Sequence, residues 1–134
     1  MSSAVLHSPS VERVRDALSR AGLGDTIVEL PGAARTAKAA AEFLGCEIGQ
    51  IANSLVFRAG ASDQALLVMS SGFAIGGVPP VGHGLRALVE KSLAAHRELW
   101  AAAGHPHTVF RLTYPDLLRI TGGAQVDLAM SDLG

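Results

Sequence analysis

Ile51-Ala52-Asn53-Ser54-Leu55-Val56-Phe57-Arg58, the break Ala59 to Asp63, and Gln64-Ala65-Leu66-Leu67-Val68-Met69-Ser70 form the stretch whose reading decides the fold. Two short apolar runs flank a glycine-containing polar break, which predicts a hairpin of two strands, 51–58 and 64–70. Asn53 and Ser54 interrupt the first run. Successive strand side chains point to opposite faces, so one of the pair faces a pocket or solvent. An ordinary solvent-facing polar pair is the competing reading.

Toward the N-terminus, Ser8-Pro9 opens a helix, with Ser8 as its cap and Pro9 at its first position. Val11, Val14, Leu18 and Ala21 fall on one face at helical spacing, and Gly22 and Gly24 end the run. Ile27 to Leu30 reads as a short strand stopped by Pro31-Gly32. Thr36 caps a second helix over Ala37 to Leu44, with Gly45 as its stop. Ile48 to Gln50 is a connection. On the C-terminal side, 85–89 returns to a strand and Lys91 to Ala103 reads as a helix ended by Gly104. Thr108 to Leu112 is a strand. Thr113 and Asp116 are spaced as a capping box for a helix from Tyr114 to Ile120, and Ala124 to Ala129 is a last strand. Helices and strands mix without a βαβ rhythm. The expected class is α/β in the broad sense (α+β), a mixed, barrel-like sheet flanked by helices.

Ser71 to Gly84 holds five glycines and two prolines in 14 residues, which excludes a regular helix or central strand. Glycines let a backbone approach a ligand and turn its amides outward, and prolines fix the shape beforehand. A loop of this kind aims N–H groups at a carbonyl or a phosphate; a plain surface loop is the alternative. It lacks the Gly-Lys-Ser/Thr ending of a phosphate-binding P-loop, and no G-x-G-x-x-G opens a helix.

The 134 residues are expected to form one domain, 1–134. Hydrophobic residues are 49% and charged residues 17%, a composition that folds rather than remains disordered. A net charge of −1 argues against a protein that grips long DNA. Cys46 is the one cysteine, so no internal disulfide forms, and no signal pattern or membrane span is evident; the expected place is the cytoplasm. His7, His83, His96, His105 and His107 have no zinc-ligand spacing, and no Gly-x-Ser-x-Gly elbow or Cys–base pairing marks a nucleophile. No metal and no cofactor are expected.

Three blocks occur in order: Arg35-Thr36-Ala37 through Ala41-Glu42-Phe43-Leu44-Gly45; Gln50 to Phe57; and Gly76-Gly77-Val78-Pro79-Pro80-Val81-Gly82-His83. Ala101-Ala102-Ala103-Gly104, Val109-Phe110 and Leu117-Leu118 follow. With these blocks the chain resembles the YbaK/prolyl-tRNA-synthetase-associated editing domain family, including its free-standing ProX-type members, from about Arg35 onward.

The resemblance implies a trans-acting deacylase. It would hydrolyse the ester of mischarged tRNA, of the proline class, with the aminoacylated 3′ end as partner and neither DNA nor membrane. It implies that Gly76, Gly77 and Val78 offer backbone amides to the ester carbonyl and that Pro79 and Pro80 hold the loop rigid. Asn53 and Ser54 would contact the amino acid or terminal ribose, with His83 in the same pocket. A catalytically weak module that binds tRNA ends or a small ligand is the alternative. Two features depart from the family. Asn53 stands where many members carry a lysine, and asparagine hydrogen-bonds but brings no charge. Ser70-Ser71 also runs almost straight into Gly72-Phe73, where the family usually has a further helical segment.

Overall fold

The hairpin forms where the apolar runs predict it, as β2 (Ala52–Ala59) and β3 (Gln64–Ser71), antiparallel, with Asn53 opposite Ser70 and Ser54 opposite Met69. The computed structural model of the chain describes residues 4–59, 64–71 and 86–126. Elements in chain order are α1 (Pro9–Arg20), β1 (Ile27–Glu29), α2 (Ala37–Leu44), β2, β3, β4 (Arg86–Glu90), β5 (Leu99–Ala102), β6 (Thr108–Leu112), α3 (Tyr114–Thr121) and β7 (Ala124–Val126). Short 3-10 turns sit at Val5–His7, Ile48–Gln50 and Lys91–Ala95.

The strands make two sheets. One has the order β2-β3-β4-β7, with β3, β4 and β7 mutually parallel; the other is antiparallel, in the order β1-β6-β5. The mixed character was expected, but the sheets are not closed into a barrel. Among the described residues one parallel bridge, Ile51 to Trp100, joins their edges. Closure needs strands long enough to keep pairing around the ring. β5 is four residues long and β1 and β7 are three each, so pairing stops after that bridge.

Buried side chains gather in two clusters. The larger takes Val14 and Leu18 from α1, Leu67 and Met69 from β3, Leu93, Leu99, Phe110 and Leu112, and Leu117 from α3. The smaller packs Ala37, Ala40 and Ala41 of α2 on Ile51, with Trp100 and Cys46 at its border.

The helix ends show which caps work. Thr36 Oγ1 accepts from the Ala39 amide at 3.1 Å, and Gly45 closes α2 in the left-handed region at φ 67°. Thr113 Oγ1 accepts from the Asp116 amide at 3.3 Å. The Asp116 carboxylate turns to Arg119 instead, 3.3 Å away. Ser8 does not cap α1: its hydroxyl is buried without a partner among the described residues, and Pro9 alone starts the helix.

The helix expected over Lys91–Ala103 is not formed. A 3-10 turn covers Lys91–Ala95, and Leu99–Ala102 is strand β5. Leu99, Ala101 and Ala103 are buried while Trp100 and Ala102 are half-buried, the two-residue period of a strand. Alanine favours helices by about 1 kcal/mol over glycine at most, and pairing with β6 overrides a preference of that size. Among the described residues no helix is long and apolar enough to cross a membrane.

Candidate functional site

Where the sheets meet at Ile51 and Trp100 they leave a cleft of ≈ 300 Å³. Its floor is the start of the hairpin, Ile51 to Ser54. One wall is Ala34, Arg35, Thr36 and Ala40 at the start of α2. The other is β5 with the turn into β6, from Trp100 through His105 and Pro106 to Val109.

The turn is tied down by a set of hydrogen bonds. Gly104 adopts φ 101°, and a Cβ there would lie 2.9 Å from the Ser10 carbonyl oxygen, so glycine is required. Ser10 Oγ donates to the Gly104 carbonyl at 2.8 Å. Thr108, 2% exposed, donates from its amide at 2.9 Å and from its hydroxyl at 3.0 Å to the His105 carbonyl. The amides of Leu30 and Ala34 donate to the carbonyls of His107 and Pro106 at 2.6 and 2.7 Å. His105 Nδ1 accepts from the His107 amide at 3.1 Å, and the two rings lie 5.3 Å apart. An imidazole that accepts at Nδ1 carries its proton, when neutral, on Nε2. The backbone thereby fixes the orientation of the His105 ring.

The floor is different. Asn53 is 8% exposed, and its Nδ2 has no hydrogen-bond partner among the described residues. A buried amide donor without an acceptor costs about 1–3 kcal/mol, so an orphan of this kind calls for an explanation. Ile51 and Asn53 lie on the face of β2 toward α2. Ala52 and Ser54 lie on the other face, above Met69 in the main core. Ser54 is 2% exposed and also reaches the cleft lining.

Of the residues singled out in the sequence, Asn53 and Ser54 are thus brought together at the cleft. Gly76, Gly77, Val78, Pro79, Pro80 and His83 lie outside the described residues. Arg35, Trp100 and His105 line the cleft although no local motif marks them as site residues. The helix expected over 91–103 hid Trp100, whereas Arg35 is a lone cation whose place depends on the packing of α2. Cys46 is half-buried beside α2 and is not part of the lining. Burial pushes its thiol up, and the carboxylates of Glu47 and Glu98 push it further, against the lowering effect of a backbone hydrogen bond. Among the described residues no group of three His, Cys, Asp or Glu side chains is arranged to hold a metal ion.

Comparison with known proteins adds to this geometry. The family model of the aminoacyl-tRNA editing domain matches residues 69–120. The chain is similar to the crystal structure of a proposed trans-editing enzyme for prolyl tRNA synthetase, at 40% identity, 90% of this chain, 97% of that chain and a TM-score of 0.80. It is similar to a scaffold protein used for computational grafting of linear epitopes, at 38% identity, 90% and 97% coverage and a TM-score of 0.79. A hypothetical protein at 18% identity, with 86% and 97% coverage and a TM-score of 0.77, shares the fold. No curated protein sequence matches.

Proposed function

Because the chain belongs to the aminoacyl-tRNA editing domain family, we propose that it is a trans-acting deacylase that hydrolyses the ester of mischarged tRNA of the proline class. One observation carries the reading to this site. The buried Asn53 amide donor has no acceptor among the described residues, and Asn53 lines a cleft together with the small side chains Ala34, Ala40, Ala101 and Ala102. An ester oxygen or a ribose oxygen satisfies that donor. A small aminoacyl group fits between alanine walls.

In this reading water adds to the ester carbonyl carbon. The bond from that carbon to the ribose oxygen breaks, and a proton of the water ends on that oxygen. The products are the free amino acid and a tRNA with its terminal hydroxyl restored. Negative charge grows on the carbonyl oxygen during the addition. Backbone donors at Gly76, Gly77 and Val78 stabilise it, with Pro79 and Pro80 keeping the loop from relaxing away. Asn53 and Ser54 hold the aminoacyl group or the terminal ribose, and His83 borders the same space. No side-chain nucleophile is used: the one thiol lies outside the cleft lining and is held toward its neutral form. Such an enzyme acts where tRNA is charged, which in this proposal is the cytoplasm.

Single-turnover deacylation of alanyl-, cysteinyl- and seryl-tRNA tests the proposal. Faster release than in buffer alone for at least one ester is expected. A protein that only binds tRNA ends leaves all three intact. Gly77→Ala should lower the rate about 10²–10³-fold with the fold retained, the usual cost of a displaced oxyanion donor.

A further inference from the structure

Helix α2 begins at the mouth of the cleft, where its cap Thr36 and the preceding Arg35 form part of the lining. The start of a helix is the positive end of the peptide dipole, and acidic side chains are the stabilising partners there. α2 has no acid in its first turn. It carries Lys38 there, with Arg35 just ahead of the helix. Both side chains are exposed, and neither makes an ion pair with another described residue. Thr36 Oγ1 occupies the Ala39 amide, which leaves the amides of Ala37 and Lys38 without an acceptor inside the helix. Two cations at a positive helix end repel it and each other in the empty protein; an anion placed there attracts all three and offsets that repulsion.

The second observation is independent of the helix. Asn53 lies in the same cleft, more than nine-tenths buried, with its Nδ2 unpartnered among the described residues. An oxygen acceptor on a ligand in this space would satisfy that donor. Asn53 itself brings no charge, so any anionic part of that ligand has to find its cation elsewhere in the lining. The α2 end supplies it.

We infer that the N-terminus of α2, with Arg35 and Lys38, is a phosphate site. On the deacylase reading, which this inference uses only to name the phosphate, it is the phosphodiester on the 5′ side of the terminal adenosine. Covalent structure requires such a neighbour: an aminoacyl ester on the last ribose has a phosphate one sugar away, so an ester on the cleft floor brings that phosphate toward the mouth. The planar guanidinium of Arg35 matches two phosphate oxygens at once, and the free helix amides take a third. A chain of net charge −1 thereby binds a polyanion through one local patch.

Two measurements on the full chain test this. In the first, binding of 5′-AMP is compared with binding of adenosine, which lacks the phosphate. Wild type should prefer 5′-AMP about tenfold. Arg35→Ala and the double change Arg35→Ala/Lys38→Ala should erase most of the preference. Arg35→Lys should keep part of it, and Arg13→Ala, an exposed cation of α1 away from the cleft, should keep all of it. In the second, deacylation of aminoacyl-tRNA is compared with that of the same amino acid esterified to adenosine. The Arg35 change should raise KM about tenfold on tRNA with kcat kept, and lower the salt slope by about 0.7, one single-strand phosphate contact. It should leave the adenosine ester unaffected. Equal preference of wild type for AMP and adenosine overturns the phosphate site, as does an Arg35 variant that loses both substrates alike. A wild type that prefers AMP but leaves every ester intact keeps the phosphate site and overturns the deacylase reading instead.

Discussion

The turn between β5 and β6 and the start of β2 face each other across one cleft and handle their polar groups in opposite ways. In the turn polar groups find partners inside the protein: Thr108 on the His105 carbonyl, the His107 amide on His105 Nδ1, Ser10 on Gly104. On β2, Asn53 is about as buried as its surroundings, and its Nδ2 has none among the described residues. A satisfied network rigidifies, whereas an unsatisfied donor in a low-dielectric space is costly until something binds it. The turn is scaffold and the strand is where a ligand completes the structure. Changes in the turn should therefore act on stability, and changes at Asn53 on activity.

The largest effect is expected at Gly104. Alanine there meets φ 101°, a conformation side chains rarely adopt, and the Ser10 carbonyl oxygen at 2.9 Å. Strain of this kind costs of order 1–3 kcal/mol, and the clash adds to it, so Gly104→Ala should lose about 3 kcal/mol in urea unfolding. Unchanged stability would show that the turn is not the rigid partner in the comparison.

Asn53→Leu should act on activity instead. It replaces a buried amide, whose Nδ2 has no partner among the described residues, by an apolar group of similar size, and stability should change by less than about 1 kcal/mol. The same change removes a donor from substrate, and deacylation should fall about 10- to 100-fold. Matched losses in stability and activity would place Asn53 in the scaffold with the turn.

What the sequence disclosed follows the range of the forces involved. The hairpin rests on two adjacent apolar runs, and α2 on a threonine cap and a left-handed Gly45, all readable within a few residues. β5 depends on a partner strand 7 to 13 residues further on, from Ala102 opposite Val109 to Leu99 opposite Leu112. Its alanines favour helix locally, so the strand was invisible, and with it the wall formed by Trp100 and Ala102. Asn53 stood out because a polar residue inside an apolar strand breaks a pattern. Arg35 breaks none, since an arginine before a helix cap is ordinary until the cleft is seen beside it. The open arrangement of the sheets was equally hidden, because strand ends, not strand cores, decide closure.

A smaller effect tests the turn from within. Thr108→Val keeps the shape and the amide bond to the His105 carbonyl but deletes the hydroxyl bond at 3.0 Å. One of two donors to a carbonyl is lost, so about 1 kcal/mol of stability should go, with deacylation of the remaining folded protein near wild type. A large loss of activity at full stability would mean that the hydroxyl belongs to the site.

The smallest effect is expected at Cys46, and its smallness is informative. A thiol acts as a nucleophile through its thiolate. Here burial opposes the thiolate, and Glu47 and Glu98 oppose it further, so the group stays protonated near neutral pH. It also sits at the edge of the small cluster of Ala37, Ala40, Ala41 and Ile51, not in the cleft lining. Cys46→Ala should therefore keep the single-turnover rate within about twofold, because a protonated thiol outside the cleft takes no part in rate-limiting electrostatics. The packing lost at a half-buried edge should cost under about 1 kcal/mol. Iodoacetamide should alkylate the thiol slowly at pH 7 and faster as pH rises through its raised pKa, without the deacylation rate following the same curve. A rate that rises with thiolate formation, or vanishes in Cys46→Ala, would put a covalent acyl-thiol step in place of direct attack by water, and would move the chemistry outside the cleft lining.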